Sequence, residues 1–292
     1  MASSGDMKKY TTVERGSLYT LDYRVFFKDE HDKYVSPWHD IPLFADKDKE
    51  IYNMIVEIPR WTNAKMEMAT KLPMSPIKQD VKKGLPRFVD NVFPHHGYIW
   101  NYGAFPQTWE NPAHITPETK TKGDNDPIDV LEIGSKVHKR GDVVQVKVLG
   151  TLCLIDEGET DWKIMTIDIT DPLADSINSV DDVEKYLPGL MRASNEWFRT
   201  YKIPAGKPAN QFGFQGHFKD ATYAKKIVEE TNEFWRELIK EQNPALNTEA
   251  HVPGAAHPAN DEAWTKIVES SPALGQPGEI PETLGRWHYI SE

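Results

Sequence analysis

Asp124-Asn125-Asp126-Pro127-Ile128-Asp129 packs three carboxylates into six residues. Pro127 stiffens the backbone, so these charges repel one another and cannot spread apart unless something positive lies between them. A bound divalent cation relieves that conflict. Magnesium, which keeps several of its waters, suits aspartates delivered sparsely from several elements better than a full protein cage. A calcium EF-hand does not fit: counting from Asp124, its fifth position is Ile128, its glycine position is Asp129 and its closing glutamate position is Ser135.

The excess charge is local. The chain has 292 residues with 45 acids against 34 bases, a formal charge of −11. Between Asp124 and Asp171 there are eleven acids and five bases, a balance of −6, more than half of that excess. Such a balance argues against a protein that grips nucleic acid through its phosphates. A second acidic segment, Asp156-Glu157-Gly158-Glu159-Thr160-Asp161, also abuts a β-forming run. By itself it reads as a solvated hairpin turn at Gly158. Alternation from Asp161, however, puts Asp161 and Lys163 on one face and Trp162 and Ile164 on the other. In Ile55 to Met68, Lys65 and Glu67 share a face opposite Ala64, Met66 and Met68, and Glu57 precedes a Pro59- and Asn63-containing turn. Two paired strands with a half-exposed cross-strand ion pair are the expectation there.

The first half reads as short strands at Tyr19 to Phe27, Tyr52 to Ile58, Asn63 to Ala69, Ile128 to Ile133, Val143 to Ile155 and Trp162 to Ile169. A closed or nearly closed barrel is expected. The period then becomes helical: Ser179 with Asp182 resembles a capping box, Leu190, Ser194, Trp197, Phe198 and Tyr201 form one stripe, and Asp220 heads another running to Leu238. After Lys240 the chain turns rich in Pro, Ala and Gly, with one short helix expected near Ala263. We expect an N-terminal tail over 1–18, one catalytic unit over 19–240 and a C-terminal extension over 241–292.

Other chemistries find no support. The longest apolar stretch, Val148 to Ile155, is far too short to cross a bilayer. The first sixteen residues lack the apolar centre of a signal peptide. Cys153 is the only cysteine, so the expected setting is the reducing cytoplasm. There is no phosphate-cradling glycine loop ending in Lys-Ser/Thr, no dinucleotide fingerprint, no His-Glu-x-x-His and no serine nucleophile elbow. His95 and His96 point to opposite sides of an extended chain and make a poor metal pair.

Asp124-Asn125-Asp126-Pro127-Ile128-Asp129-Val130 resembles the signature of the family I soluble inorganic pyrophosphatases. Glu57-Ile58-Pro59-Arg60, Asn63-Ala64-Lys65-Met66-Glu67, Asn101-Tyr102-Gly103, Asp156 to Lys163, and Trp197-Phe198 with Tyr201-Lys202 are similar to blocks of the eukaryotic branch, in the same order. The likeness spans residues 19–240. It implies a mainly β protein, a five-stranded OB-like barrel with flanking helices and terminal extensions. It also implies a homodimer and Mg2+-dependent hydrolysis of pyrophosphate to two orthophosphates by a metal-activated water, with no phosphoenzyme.

Carried over by position, Asp124, Asp129 and Asp161 resemble ligands of the activating metals. Glu67 and Asp156, again with Asp161, resemble ligands of metals arriving with substrate, for roughly three to four Mg2+ ions in all. Asp126 matches the general base. Arg87, Lys163, Tyr201 and Lys202 match groups that hold the phosphates. Lys65, Tyr98 and Tyr102 fall on the leaving-group side, and Glu57 is in a supporting position. Gly84-Leu85-Pro86-Arg87 departs from the more basic Gly-Lys-x-Arg pattern, and Pro86 biases Leu85 toward extended geometry. The readings that compete are a phosphohydrolase acting on nucleotides or polyphosphate, a non-catalytic cation-binding module and an OB-type nucleic-acid binder.

Overall fold

As a computed structural model describing residues 10–241 and 245–291, the chain closes five strands into a ring. These are Ile51–Ile58 (β1), Asn101–Ala104 (β2), Asp129–Glu132 (β3), Val143–Asp156 (β4) and Glu159–Asp168 (β5). β1 pairs with β2 and β4, β2 with β3, β3 with β5, and β5 returns to β4; only the β3–β5 pairing is parallel. Closure leaves the ring no free edge, and this is the OB-like barrel expected from the sequence. Two backbone details permit it. At the register shift between β1 and β2, a Cβ on Gly103 would stand 1.8 Å from the Ile55 carbonyl oxygen, so only glycine lets the strands approach. Between β4 and β5, Glu157 and Gly158 have φ of 49° and 91°, the two positive values a tight hairpin turn needs.

Alternation divides each strand between two cores. Met54, Val56, Val130, Val146 and Ile164 pack with Ala224, Ile227 and Val228 of helix Ala221–Leu238. Their neighbours Ile55, Leu131, Leu152, Leu154, Met165 and Ile167 face the other core, with Trp100, Trp197 and Phe198. Because both faces are covered, the strands read as nearly continuous apolar runs.

Three further helices, numbered with it in chain order, are Val180–Tyr186 (α1), Leu190–Thr200 (α2) and Asp261–Ser270 (α4), leaving Ala221–Leu238 as α3. Ser179 caps α1 by accepting from the Asp182 N–H, and Asp220 caps α3 by accepting from the Tyr223 N–H. None of the described helices is long and apolar enough to cross a membrane.

Two expectations need correction. Met66–Met68 does not pair with β1; it joins an N-terminal sheet through Ile77–Gln79, because the intervening loop spends its backbone groups on Tyr98 and Phe88. The strand expected from Tyr19 begins only at Arg24, since Tyr19 sits in a turn with φ of 65°. The expected N-terminal tail lies outside the described residues over 1–9, as do residues 242–244 of the C-terminal extension. From residue 245 onward the chain folds back. Asn247 bonds Thr70, Trp264 of α4 buries against the cluster of Phe26 and Met74, and Trp287–His288 pairs with Asn91–Val92.

Candidate active site

The apolar row of each barrel strand turns polar at one end of the ring. Along β1 Ile55 gives way to Glu57, along β3 Leu131 to Asp129, along β4 Leu154 to Asp156, and along β5 Met165 to Lys163 and Asp161. Tyr102 of β2 opens on the same space. Together with the loop bearing Asp124 and Asp126 and the end of α2 bearing Tyr201 and Lys202, they line a cleft of about 270 Å³. Lys65, Glu67, Arg87 and Tyr98 complete its wall, so every site residue named from the sequence faces this one cavity.

Carboxylates and ammonium groups are interleaved there. The Lys163 ammonium donates to Asp161 Oδ2 at 2.6 Å and also to Asp129, while the Tyr102 hydroxyl donates to Asp129 Oδ2 at 2.6 Å. Lys202 donates to Asp156 and, at 3.1 Å, to Glu157; Tyr201 donates to Asp156 Oδ2 at 3.1 Å. Lys65, just before the strand Met66–Met68, pairs with Glu67 within it at 2.6 Å. Arg87 reaches the cleft despite the departure at Pro86, braced by Asp80 at 2.8 Å, a partner the sequence reading did not name. Glu57 is buried and accepts from the Met68 N–H at 2.7 Å, so the ion pair expected across the two strands does not form and Lys65 pairs with Glu67 instead.

Sequence reasoning missed Glu110. Its Oε1 accepts from the Trp162 N–H at 3.0 Å, and its backbone N–H and carbonyl hold Asp126 and Asn125. Asn125, at φ 74°, turns the aspartate loop, and Asp124 Oδ1 accepts from the Asp126 N–H at 3.0 Å. Carboxylate oxygens of Glu110, Asp124 and Asp161 lie within 4.8 Å of one another, and Glu110 Oε2 is buried without a hydrogen-bond partner. A lone glutamate before Asn111-Pro112 carries no spacing signal that could have exposed it.

The electrostatics follow from this crowding. Burial first, then mutual repulsion, raises Glu110 and Asp124 well above the ordinary carboxylate range. Asp161 is pushed up to about 7 by burial and by Asp129 and Asp156, against the pull of Lys163. Asp126, although exposed to solvent at the mouth, is ringed by the cleft walls and rises to about 7, through desolvation there and then the charges of Glu67 and Asp129. Glu57 is raised well above its usual value by burial and by Asp129. Oxygen donors clustered at this density, with an unpartnered buried carboxylate oxygen among them, fit a hard divalent cation. His95, His96 and Cys153 do not line the cleft, and burial pushes the Cys153 thiol up to about 12, which leaves it inert.

A barrel mouth built this way, with carboxylates interleaved with ammonium and guanidinium groups, has the chemistry of a site for cations beside a compact polyanion. Residues 54–236 match the family model described as inorganic pyrophosphatase. The chain is 64% identical over 287 residues to inorganic pyrophosphatase 1 of Caenorhabditis elegans, covering 98% of this chain and 67% of that one. It superposes on the structure of inorganic pyrophosphatase from Schistosoma japonicum with a TM-score of 0.91 and 46% identity, covering 96% of this chain and all of the other. An N-terminally truncated vacuolar soluble pyrophosphatase of Trypanosoma cruzi in complex with PPi gives a TM-score of 0.75 and 44% identity, covering 82% and 95%. The chain belongs to the family I soluble inorganic pyrophosphatases.

Proposed function

We propose that the chain hydrolyses inorganic pyrophosphate to two orthophosphates in a Mg2+-dependent reaction, by direct attack of water and without a phosphoenzyme. The observation that carries this reading is the meeting in one cleft of carboxylates from four separate stretches of chain with Lys65, Arg87, Lys163 and Lys202. The PPi held by the Trypanosoma cruzi relative supports the same substrate.

Asp124, Asp129, Asp161, Asp156 and Glu67, with Glu110 beside them, are the residues that would hold roughly three to four Mg2+ ions. Bound there, the cations would supply charge neutralisation of the diphosphate and acidification of water. Asp126 accepts the proton as the new oxygen–phosphorus bond forms; its raised pKa suits a base at neutral pH. The bridging phosphorus–oxygen bond breaks, and its electron pair leaves with the departing phosphate. Lys65, Tyr98 and Tyr102 face that leaving group, and Arg87, Lys163, Tyr201 and Lys202 fix both phosphates. In this reading they act by electrostatic stabilisation of the phosphates, once cations take over the carboxylates that now hold most of these donors. Glu57, buried at the wall, supports it by accepting from the Met68 N–H.

The same proposal makes residues 19–240 the catalytic unit and 241–292 an extension that braces it, in a cytoplasmic homodimer. Support for the dimer comes from an exposed aromatic cluster: Phe93 stacks on Tyr289 at 5.2 Å and meets the edge of Trp287 at 5.4 Å, with 48%, 74% and 46% of each ring's residue exposed. The deciding experiment is phosphate release from pyrophosphate, ATP and tripolyphosphate, each with and without Mg2+. Release from pyrophosphate that requires Mg2+ and exceeds release from the others is expected. Equal or faster release from ATP or tripolyphosphate would point to a general phosphohydrolase, and no release at all to a cation-binding module.

A further inference from the structure

The C-terminal strap reaches the cleft through a single buried amide. Asn91 is 1% exposed, and its side chain makes three hydrogen bonds. Oδ1 accepts from the Gly97 N–H at 2.8 Å and from Asn63 Nδ2 at 2.7 Å, while Nδ2 donates to the Leu284 carbonyl at 2.8 Å. A carboxamide offers both halves of that pattern, which the isosteric carboxylate of Asp or the side chain of Leu does not. The strap is further registered by the parallel pairing of Asn91–Val92 with Trp287–His288 and by the Phe93 N–H donating to the His288 carbonyl.

Gly97 is the residue before Tyr98. Its carbonyl accepts from the Trp197 indole at 2.9 Å, so Asn91 holds one side of the glycine and Trp197 the other. Gly97 has φ of 62°, and a Cβ there would stand 2.4 Å from the Thr62 carbonyl oxygen. The chain therefore closes directly on Thr62, and the Tyr98 N–H donates to that same carbonyl at 3.0 Å. Asn63, next in sequence to Thr62, is tied at its own Nδ2 to both Asn91 and the Val89 carbonyl. The Tyr98 ring is thus delivered to the cleft, against Tyr102 and Trp197, by a backbone corner that Asn91 fastens from below.

We propose that Asn91 is a positioning residue for the cleft, carrying the order of the C-terminal strap at Leu284 to Gly97 and Asn63 and thereby fixing where Tyr98 stands. It rests on the reading of Tyr98 as a group facing the leaving phosphate. Asn91 touches neither substrate nor cations; it acts on rate only through Tyr98. A displacement of about 1 Å at a group aimed at the reacting atoms is sufficient to cost a large factor in rate.

The test is a double-mutant cycle on the full chain, read as kcat/KM for magnesium pyrophosphate well below each variant's melting temperature. Asn91→Ala lowers kcat/KM about tenfold in the parent, and by less than about twofold when Tyr98 is already Phe. A merely structural role for Asn91 would give the same loss in both backgrounds, and that additivity would overturn the inference, as would a folded Asn91→Ala protein within about twofold of the parent. If Tyr98→Phe alone is silent, the role of Tyr98 itself falls; if it is costly and the cycle is additive, only the role of Asn91 falls. Leu284→Ala leaves the Asn91 side chain chemically intact but removes a buried anchor of the strap whose carbonyl Asn91 holds, so it serves even where Asn91→Ala does not fold. It is expected to lower kcat/KM about threefold in the parent and not in the Tyr98→Phe background. A lowered melting temperature with unchanged kcat/KM would reduce the strap to a brace and sink its share of the proposal.

Discussion

Lys163 Nζ stands 2.6 Å from Asp161 Oδ2, two residues apart on one face of the same barrel strand. Lys163 is buried, and it also holds Asp129 on the neighbouring strand. Its ammonium therefore fills part of the demand for positive charge that the carboxylates create. Lys163→Met should lower stability in EDTA by about 3 kcal/mol, because two carboxylates lose their buried counter-charge. The loss should shrink on adding Mg2+, and melting curves with and without the cation measure both. An equal loss under the two conditions would separate Lys163 from cation binding.

Asp126→Asn keeps the shape of the loop and removes the proton acceptor. Turnover of pyrophosphate should fall at least ~10²-fold while Mg2+ binding, followed by calorimetry, stays close to that of the parent. An undiminished rate would take the base role from Asp126.

Glu110→Gln tests the carboxylate that sequence reasoning overlooked. Its Oε2 has no protein partner, so neutralising it costs no hydrogen bond of the fold. The Mg2+ concentration giving half-maximal activity should rise about tenfold, as is usual for groups that tune a metal's ligands. An unchanged requirement, measured by Mg2+ titration, would leave Glu110 as a brace for the aspartate loop alone.

His138 is buried 3.2 Å from Asp168 and 3.7 Å from Asp142. Burial lowers its pKa, but Asp142, Asp168 and Glu132 outweigh that and hold it at about 9. A base raised above its unfolded value of ~6.5 contributes stability that is complete below that value and is lost as pH climbs through about 9. His138→Phe should therefore cost about 3 kcal/mol at pH 6, and the gap from the parent should narrow steadily toward pH 10. Urea melts across that range provide the comparison; a gap that is flat with pH would show the histidine to be neutral.

Trp287→Arg places a charge in the exposed aromatic cluster. If the proposed homodimer forms through this cluster, sedimentation should show the parent as a dimer and Trp287→Arg as a protomer at micromolar concentration, with the barrel intact by circular dichroism. An unchanged sedimentation coefficient would move the interface elsewhere.

The barrel and its charged mouth were legible wherever periodicity or local crowding carries the information. Asp161 and Lys163 share a face because strand alternation requires it, and three aspartates around Pro127 demand a counter-charge in any fold. Ser179 and Asp220 announced their helices because a cap acts within a single turn. What stayed hidden depends on contacts between distant stretches. Glu110 has no local pattern and gains its place only when Trp162 and the aspartate loop close around it. Met66–Met68 reads as half of a hairpin with β1 until Tyr98 and Phe88 take the backbone groups between them. The strap after Leu284 looked like loose Pro- and Gly-rich chain, yet its carbonyl meets a buried asparagine far upstream. The assignment of individual roles to Lys65, Arg87 or Tyr201 came from family likeness rather than from any periodicity.

Of the five pairings that close the ring, the seam joining Ile55 to Val143 spans the most sequence, so it carries the largest loop-closure cost and should form late. Before that seam zips there is no mouth at all, only scattered acids without a common space. Recovery of phosphate release after dilution from denaturant should consequently act as a stopwatch for ring closure, ticking later than any signal from the helices.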